Sequence, residues 1–170
     1  MYAGAFSGKL LAFNGKAKKS EIKAHEGRIN CLYATGDSLV SGGHDGKVVV
    51  WNTQRSPLQK QATLDLTAES ICSINPKAVS VCFGENGNVL VGTRGAEIIE
   101  FDTRQKAKVL MRGHFDSELW GLATHPTKPE IFTVGRDSLL ARWDLVNRKQ
   151  ICGAILSEGA ADAIAISNNG

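Results

Sequence analysis

The chain has 170 residues, 42% of them hydrophobic, which is enough to bury a core and far from the low hydrophobicity and high charge of a disordered segment. Its 20 basic and 17 acidic residues leave a net charge of +3, too small to single out nucleic acid, so none is expected as a partner. No apolar stretch approaches the roughly 20 residues that cross a bilayer, and no basic-then-apolar leader precedes a small-residue cleavage site, so neither membrane nor secretion is expected.

In chain order, Gly8 to Asn14 (GKLLAFN) reads as a strand ending in the aromatic Phe13. The densest charge follows, at Lys16, Lys18 and Lys19, with Lys23 and Arg28 nearby. These lysines suit contact with an acidic partner, although a solvated edge strand guarded against pairing is the preferred reading. His25 precedes the apolar INCLY, and four short runs then read as strands: Arg28 to Thr35, Ser38 to Gly42, Lys47 to Asn52 and Leu58 to Asp65. The glycines of GGHDGK, at 42 to 47, suit a tight turn; a phosphate loop would need G-x-x-x-x-G-K-[ST] spacing and a following helix. Further along, NVLVGT and EIIEFD are again strand-like. Gly113-His114 then opens a second set of four, at Leu119 to His125, Glu130 to Gly135, Leu139 to Asp144 and Lys149 to Ile155. The last apolar stretch, Asp162 to Ser167, is expected to start a further blade that the chain does not finish.

Two segments align without a gap: Ser41 to Asn52 (SGGHDGKVVVWN) and Thr133 to Asp144 (TVGRDSLLARWD). Each has Ser or Thr four places before Asp, and Trp six places after it. Val91 to Asp102 (VGTRGAEIIEFD) fits the frame as a degenerate copy, with Phe101 at the Trp place, Val91 at the Ser/Thr place and Gly95 at the Asp place. Trp51, Phe101 and Trp143 recur at intervals of 50 and 42 residues, near the roughly 40 to 45 of a four-stranded propeller blade. The expected fold is therefore all-β, a partial β-propeller of about three blades plus flanking strands. Blades are expected at about 25–66, 70–112 and 114–156, with partial blades at 1–24 and 157–170.

No chemistry-bearing constellation accompanies this pattern. Cys31, Cys72, Cys82 and Cys152 lie apart in apolar runs, which suits buried reduced thiols. His25, His44, His114 and His125 fall in no metal-ligand spacing, and neither Ser nor Cys has a nucleophile elbow or triad context. No catalytic residue, metal or cofactor is expected, and His44 and His125 read as turn or surface residues. Arg112, Arg136, Arg142 and Arg148 form a second candidate basic set whose convergence the sequence leaves open.

The His, Ser/Thr, Asp and Trp pattern resembles the hydrogen-bonded tetrad of WD40 repeats. The resemblance implies scaffold tetrads at His25, Ser41, Asp45 and Trp51 and at His114, Thr133, Asp137 and Trp143. More narrowly, Gly113 to Asp144 (GHFDSELWGLATHPTKPEIFTVGRDSLLARWD) is similar to a blade of the echinoderm microtubule-associated protein-like family. The AHEG at 24–27, the LVSGG-x-D at 39–45 and the LVGTR at 90–94 are similar too, so the likeness covers nearly the whole chain. It implies a non-enzymatic scaffold of cytoplasm and cytoskeleton whose partner is tubulin or microtubules. That family's upstream HELP motif and trimerising coiled coil are not visible here, so a short isoform or partial sequence is expected. The alternative is a general WD40 adaptor for a non-cytoskeletal complex.

Overall fold

The computed structural model describes Met1 to Asn169 apart from Glu69, Ser70, Cys72 and Ser117. Among the described residues it is all-β, with fifteen strands in four antiparallel sheets and one short 3-10 turn at Glu85–Gly87. The first sheet holds β1 (Tyr2–Gly4), β2 (Lys9–Asn14) and β3 (Ala17–Lys23). The second runs in order through β4 (Ile29–Thr35), β5 (Ser38–Gly43), β6 (Lys47–Asn52) and β7 (Gln59–Asp65). The third is β8 (Ala78–Phe83), β9 (Val89–Thr93), β10 (Ile98–Phe101) and β11 (Ala107–Met111). The fourth is β12 (Leu119–Thr124), β13 (Glu130–Gly135), β14 (Leu139–Asp144) and β15 (Lys149–Ile155). The chain divides into two compact units, residues 1–110 and 111–170.

Within the first unit the sheets stack, and the sequence of β6 shows why. A strand with both faces covered reads as a continuous apolar run rather than an alternating one. In KVVVWN, Val48 and Val50 join a core shared with the third sheet through Val81, Val91, Ile99 and Phe101. Val49 and Trp51 point the other way, into a core shared with the first sheet through Leu10, Tyr2 and Ile22. At roughly 1.5–3 kcal/mol for each large apolar side chain buried, these two cores dominate the stability of the unit.

Irregularities recur at equivalent places. In each four-stranded sheet a register shift falls at the start of the first strand, leaving Asn30, Val79 and Trp120 as the extra residues. A second shift falls just before the aromatic on β2, β6 and β14 and leaves Lys19, Gln61 and Ile151 unpaired on the outer strand. Such bulges bend a strand and sharpen its twist. The turn before β2, β6, β10 and β14 also repeats, with positive φ at Gly8 (81°), Gly46 (74°), Ala96 (56°) and Ser138 (61°). Gly8 has a second reason to lack a side chain, since a methyl there would come within 2.1 Å of the His25 carbonyl oxygen.

Two expectations need correction. Asp162 to Ser167 forms no strand, because it pairs with no neighbour that could take its backbone N–H and C=O groups. It lies instead beside β12, where the Ile164 nitrogen would be 3.0 Å from a methyl on Gly121. The cysteines are not uniformly buried: Cys31 and Cys82 are half-buried, and Cys152 is exposed on the outer strand β15, while Cys72 lies outside the described residues. Burial pushes the Cys31 thiol up to about 11, which keeps it protonated and unreactive at neutral pH.

Candidate functional site

Each aligned segment builds a buried polar chain around its central hydroxyl. His25 lies in the link from β3 to β4, Ser41 on β5, Asp45 in the turn to β6 and Trp51 on β6. Trp51 Nε1–H donates to Ser41 Oγ at 2.9 Å, and His25 Nε2 lies 2.8 Å from the same oxygen. His25 Nδ1 is 3.0 Å from Asp45 Oδ1. An ionised carboxylate only accepts, so the His25 Nδ1–H donates to Asp45. Asp45 also accepts the backbone N–H of Glu26 at 2.9 Å and of Lys47 at 3.2 Å. One carboxylate thus ties the incoming link to the turn.

The second unit repeats this bond for bond. Trp143 Nε1–H donates to Thr133 Oγ1 at 2.7 Å, His114 Nε2 lies 2.8 Å from that oxygen, and His114 Nδ1 is 2.9 Å from Asp137 Oδ2. Asp137 then accepts from Phe115 N at 3.0 Å and Leu139 N at 3.1 Å.

A hydroxyl, an imidazole and a carboxylate in series is also the order of a hydrolytic triad. Ser41 cannot act that way, because it is 0% exposed and its oxygen already accepts the indole N–H. A nucleophile needs an open line to its substrate. Among the described residues, no group of three or more His, Cys, Asp or Glu side chains is placed to hold a metal ion.

The degenerate copy is repaired by residues that the alignment passes over. Glu97, 2% exposed, accepts from Ser73 Oγ at 2.7 Å and from the backbone N–H of Ile74 at 3.2 Å, and it also bonds Thr93 Oγ1. Ser73 and Ile74 therefore stand where His25 and Glu26 stand, and Glu97 does the work of Asp45 from two places further along. The signal available in the sequence is the pair Thr93 and Glu97 bracketing the turn.

The lysines on and beside β3 divide into two groups. Lys9 and Lys18 both bond Glu21, and those bonds, that of Lys9 foremost, hold the Glu21 carboxyl down at about 2. Lys23 donates to Ser7 O at 3.1 Å and lies 3.4 Å from Glu26. Lys16 and Lys19 have no ion-pair partner among the described residues. Lys19, the bulged residue, lines a cleft of about 320 Å³ with Arg55, Ser20, Thr53 and Ser56 above Phe13 and Leu58. The arginines of the second unit do not form one free patch. Arg142 forks onto Glu130 at 2.9 and 2.8 Å, with its guanidinium 5.9 Å above Phe132. Arg136 sits 5.8 Å above Trp120 and 3.8 Å from Glu118. His125 caps the following turn, its Nδ1 accepting from Thr127 N at 3.2 Å and Lys128 N at 3.3 Å.

Residues 16–52 match the WD domain, G-beta repeat family. This stretch is a WD40 repeat. The matched stretch begins on β3 and ends on β6, so one WD40 repeat takes the outer strand of one sheet and the inner three of the next. His25 lies at the crossing between them. Over most of its length the chain is also similar to proteins of the echinoderm microtubule-associated group. It is 32% identical over 144 residues to human echinoderm microtubule-associated protein-like 2, covering 84% of this chain and 21% of that protein. It is 30% identical over 152 residues to the 77 kDa echinoderm microtubule-associated protein of Lytechinus variegatus, covering 88% and 22%. The ciliary WD repeat-containing protein ctxp80 of Euplotoides octocarinatus is 29% identical over 149 residues, covering 87% and 19%. The chain thus spans about a fifth of the length of these relatives.

Proposed function

We propose that this chain belongs to a cytoplasmic, microtubule-associated WD40 scaffold that binds tubulin or another cytoskeletal protein through surfaces of its blades, without catalysing a reaction. The observation that carries the reading is the likeness, over most of the chain, to proteins named as microtubule-associated. The tetrads fit a scaffold role, since each ties a link, a turn and two strands and leaves the outer surfaces free to vary. The contact surface we assign is the outer strand β3, where Lys16 and Lys19 keep their charges unpaired and Lys18 and Lys23 stand beside them with part of theirs offset. Positive charge of this kind speeds encounter with an acidic surface and weakens as salt rises.

Co-sedimentation of the chain with polymerised tubulin tests the proposal. The expected result is pelleting with microtubules at low salt, reduced at least severalfold by Lys16→Glu with Lys19→Glu. A chain that stays in the supernatant at low salt overturns the microtubule reading, and pelleting unaffected by the two substitutions overturns the β3 assignment.

A further inference from the structure

The repeat brings Arg28, Lys77 and Arg94 together around His44, a second basic set that no run in the sequence announces. The residue that opens each turn before the third strand of a blade is His44 in one sheet and Arg94 in the next. Each donates its backbone N–H to the residue just ahead of the first strand, His44 to Arg28 O at 3.0 Å and Arg94 to Lys77 O at 2.9 Å. The two blades are joined at this end, for Asn30 Nδ2 donates to Ala78 O at 2.7 Å. A methyl on Gly46 would also lie 3.5 Å from Pro76 O. Backbone hydrogen bonds therefore hold Arg28, His44, Lys77 and Arg94 around one rim, although their positions in the chain span some 66 residues.

These charges are not offset by pairing. No carboxylate lies within ion-pair distance of Arg28, Lys77 or Arg94 among the described residues. Arg28 Nε and His44 Nδ1 are both buried and have no hydrogen-bond partner there. Partial burial first, and then the charges of Lys77, Arg28 and Arg94, push the His44 pKa below its ordinary value, against an opposing pull from Asp45. Beside the cluster Phe6 is 82% exposed, with the Arg28 guanidinium 5.9 Å from its ring centre. Arginine and lysine donors gathered without acceptors favour an oxyanion. One exposed ring next to them favours an apolar side chain in the same ligand.

We propose that this rim, formed by Arg28, His44, Lys77 and Arg94 with Phe6, binds an acidic peptide segment that carries an apolar residue beside its carboxylates. A protein segment fits better than single-stranded nucleic acid, which is held by several rings on which successive bases stack. The inference stands apart from the microtubule reading, because it rests on the rim alone and uses a probe without tubulin.

The test is fluorescence anisotropy of a labelled poly-Glu peptide with one central Leu, added to the whole chain at low salt. Lys77→Glu with Arg94→Glu is expected to weaken binding by about tenfold or more, as two favourable charge contacts become repulsive. Lys16→Glu with Lys19→Glu makes the same change in net charge on β3 and is expected to alter the Kd less than about twofold. Circular dichroism checks the fold. If the charge-reversed pair does not fold, Lys77→Gln with Arg94→Gln keeps both backbone hydrogen bonds and carries the same comparison, with weakening expected again. An unchanged Kd in the rim variant, or an equal loss in the β3 variant, overturns the proposal. So does displacement of the peptide by a few millimolar inorganic phosphate, or tighter binding of a single-stranded oligonucleotide of equal charge.

Discussion

Trp51 and Trp143 make the same hydrogen bond to the same kind of hydroxyl, yet Trp51 is 2% exposed and Trp143 only half-buried. Their histidines differ in the same sense, with side-chain exposure of 0% at His25 and 17% at His114. The first unit stacks three sheets around two apolar cores, whereas in the second Leu119, Trp120 and Leu122 on β12 are each more than half exposed. The tetrad is therefore a device of one sheet and the link that enters it, complete whether or not its surroundings are dry. Its worth is set separately, by the apolar side chains packed on either face of that sheet.

That separation can be broken in three ways. Trp51→Ala is expected to destabilise the first unit by about 3–5 kcal/mol through loss of a fully buried ring. Trp143→Ala should cost less, because that ring is less completely buried than Trp51. Urea denaturation followed by circular dichroism measures both, and equal losses would refute the distinction between tetrad and core. Next in size, Ser41→Ala leaves the Trp51 N–H and the His25 ring without their shared partner in a dry site, at about 1–3 kcal/mol. The matching Thr133→Val should fall at the low end, since half-buried donors can turn to water. The smallest pair concerns the repeated turn. Gly46→Ala is expected to destabilise by about 1–2 kcal/mol, from a side chain at positive φ. Ala96→Gly, at the equivalent place, should stabilise by about 0.5–1 kcal/mol, and thermal melting would show the opposite signs.

Much of this architecture is written in local pattern. Runs such as KVVVWN and LLARWD show a strand, and their continuous or alternating character tells how many faces are covered. The observed strands Lys47–Asn52, Glu130–Gly135, Leu139–Asp144 and Lys149–Ile155 coincide with those read from sequence. His25, Ser41, Asp45 and Trp51 could be singled out together because all four residue types sit at the spacing the turn requires. Where chemistry was exchanged and shifted at once, the reading stopped: Ser73 replaces a histidine, Glu97 replaces an aspartate from two places away, and neither is conspicuous alone. Asp162 to Ser167 has the apolar alternation of a strand, but a strand exists only through its neighbours. The rim of Arg28, His44, Lys77 and Arg94 leaves no run in the sequence. A repeat assembles such a set across copies, two residues from each.

The offset between repeat and sheet carries a consequence for how such chains change length. Removing residues 15–52 would join Asn14 directly to Thr53, the stretch that leads into β7. Because β7 relates to β6 as β3 relates to β2, the surviving strands β1, β2 and β7 would have the order and polarity of an ordinary sheet. A genetic gain or loss of one repeat thus exchanges an outer strand between neighbours and severs no ladder. Blade number can drift by recombination while every intermediate still closes its hydrogen bonds.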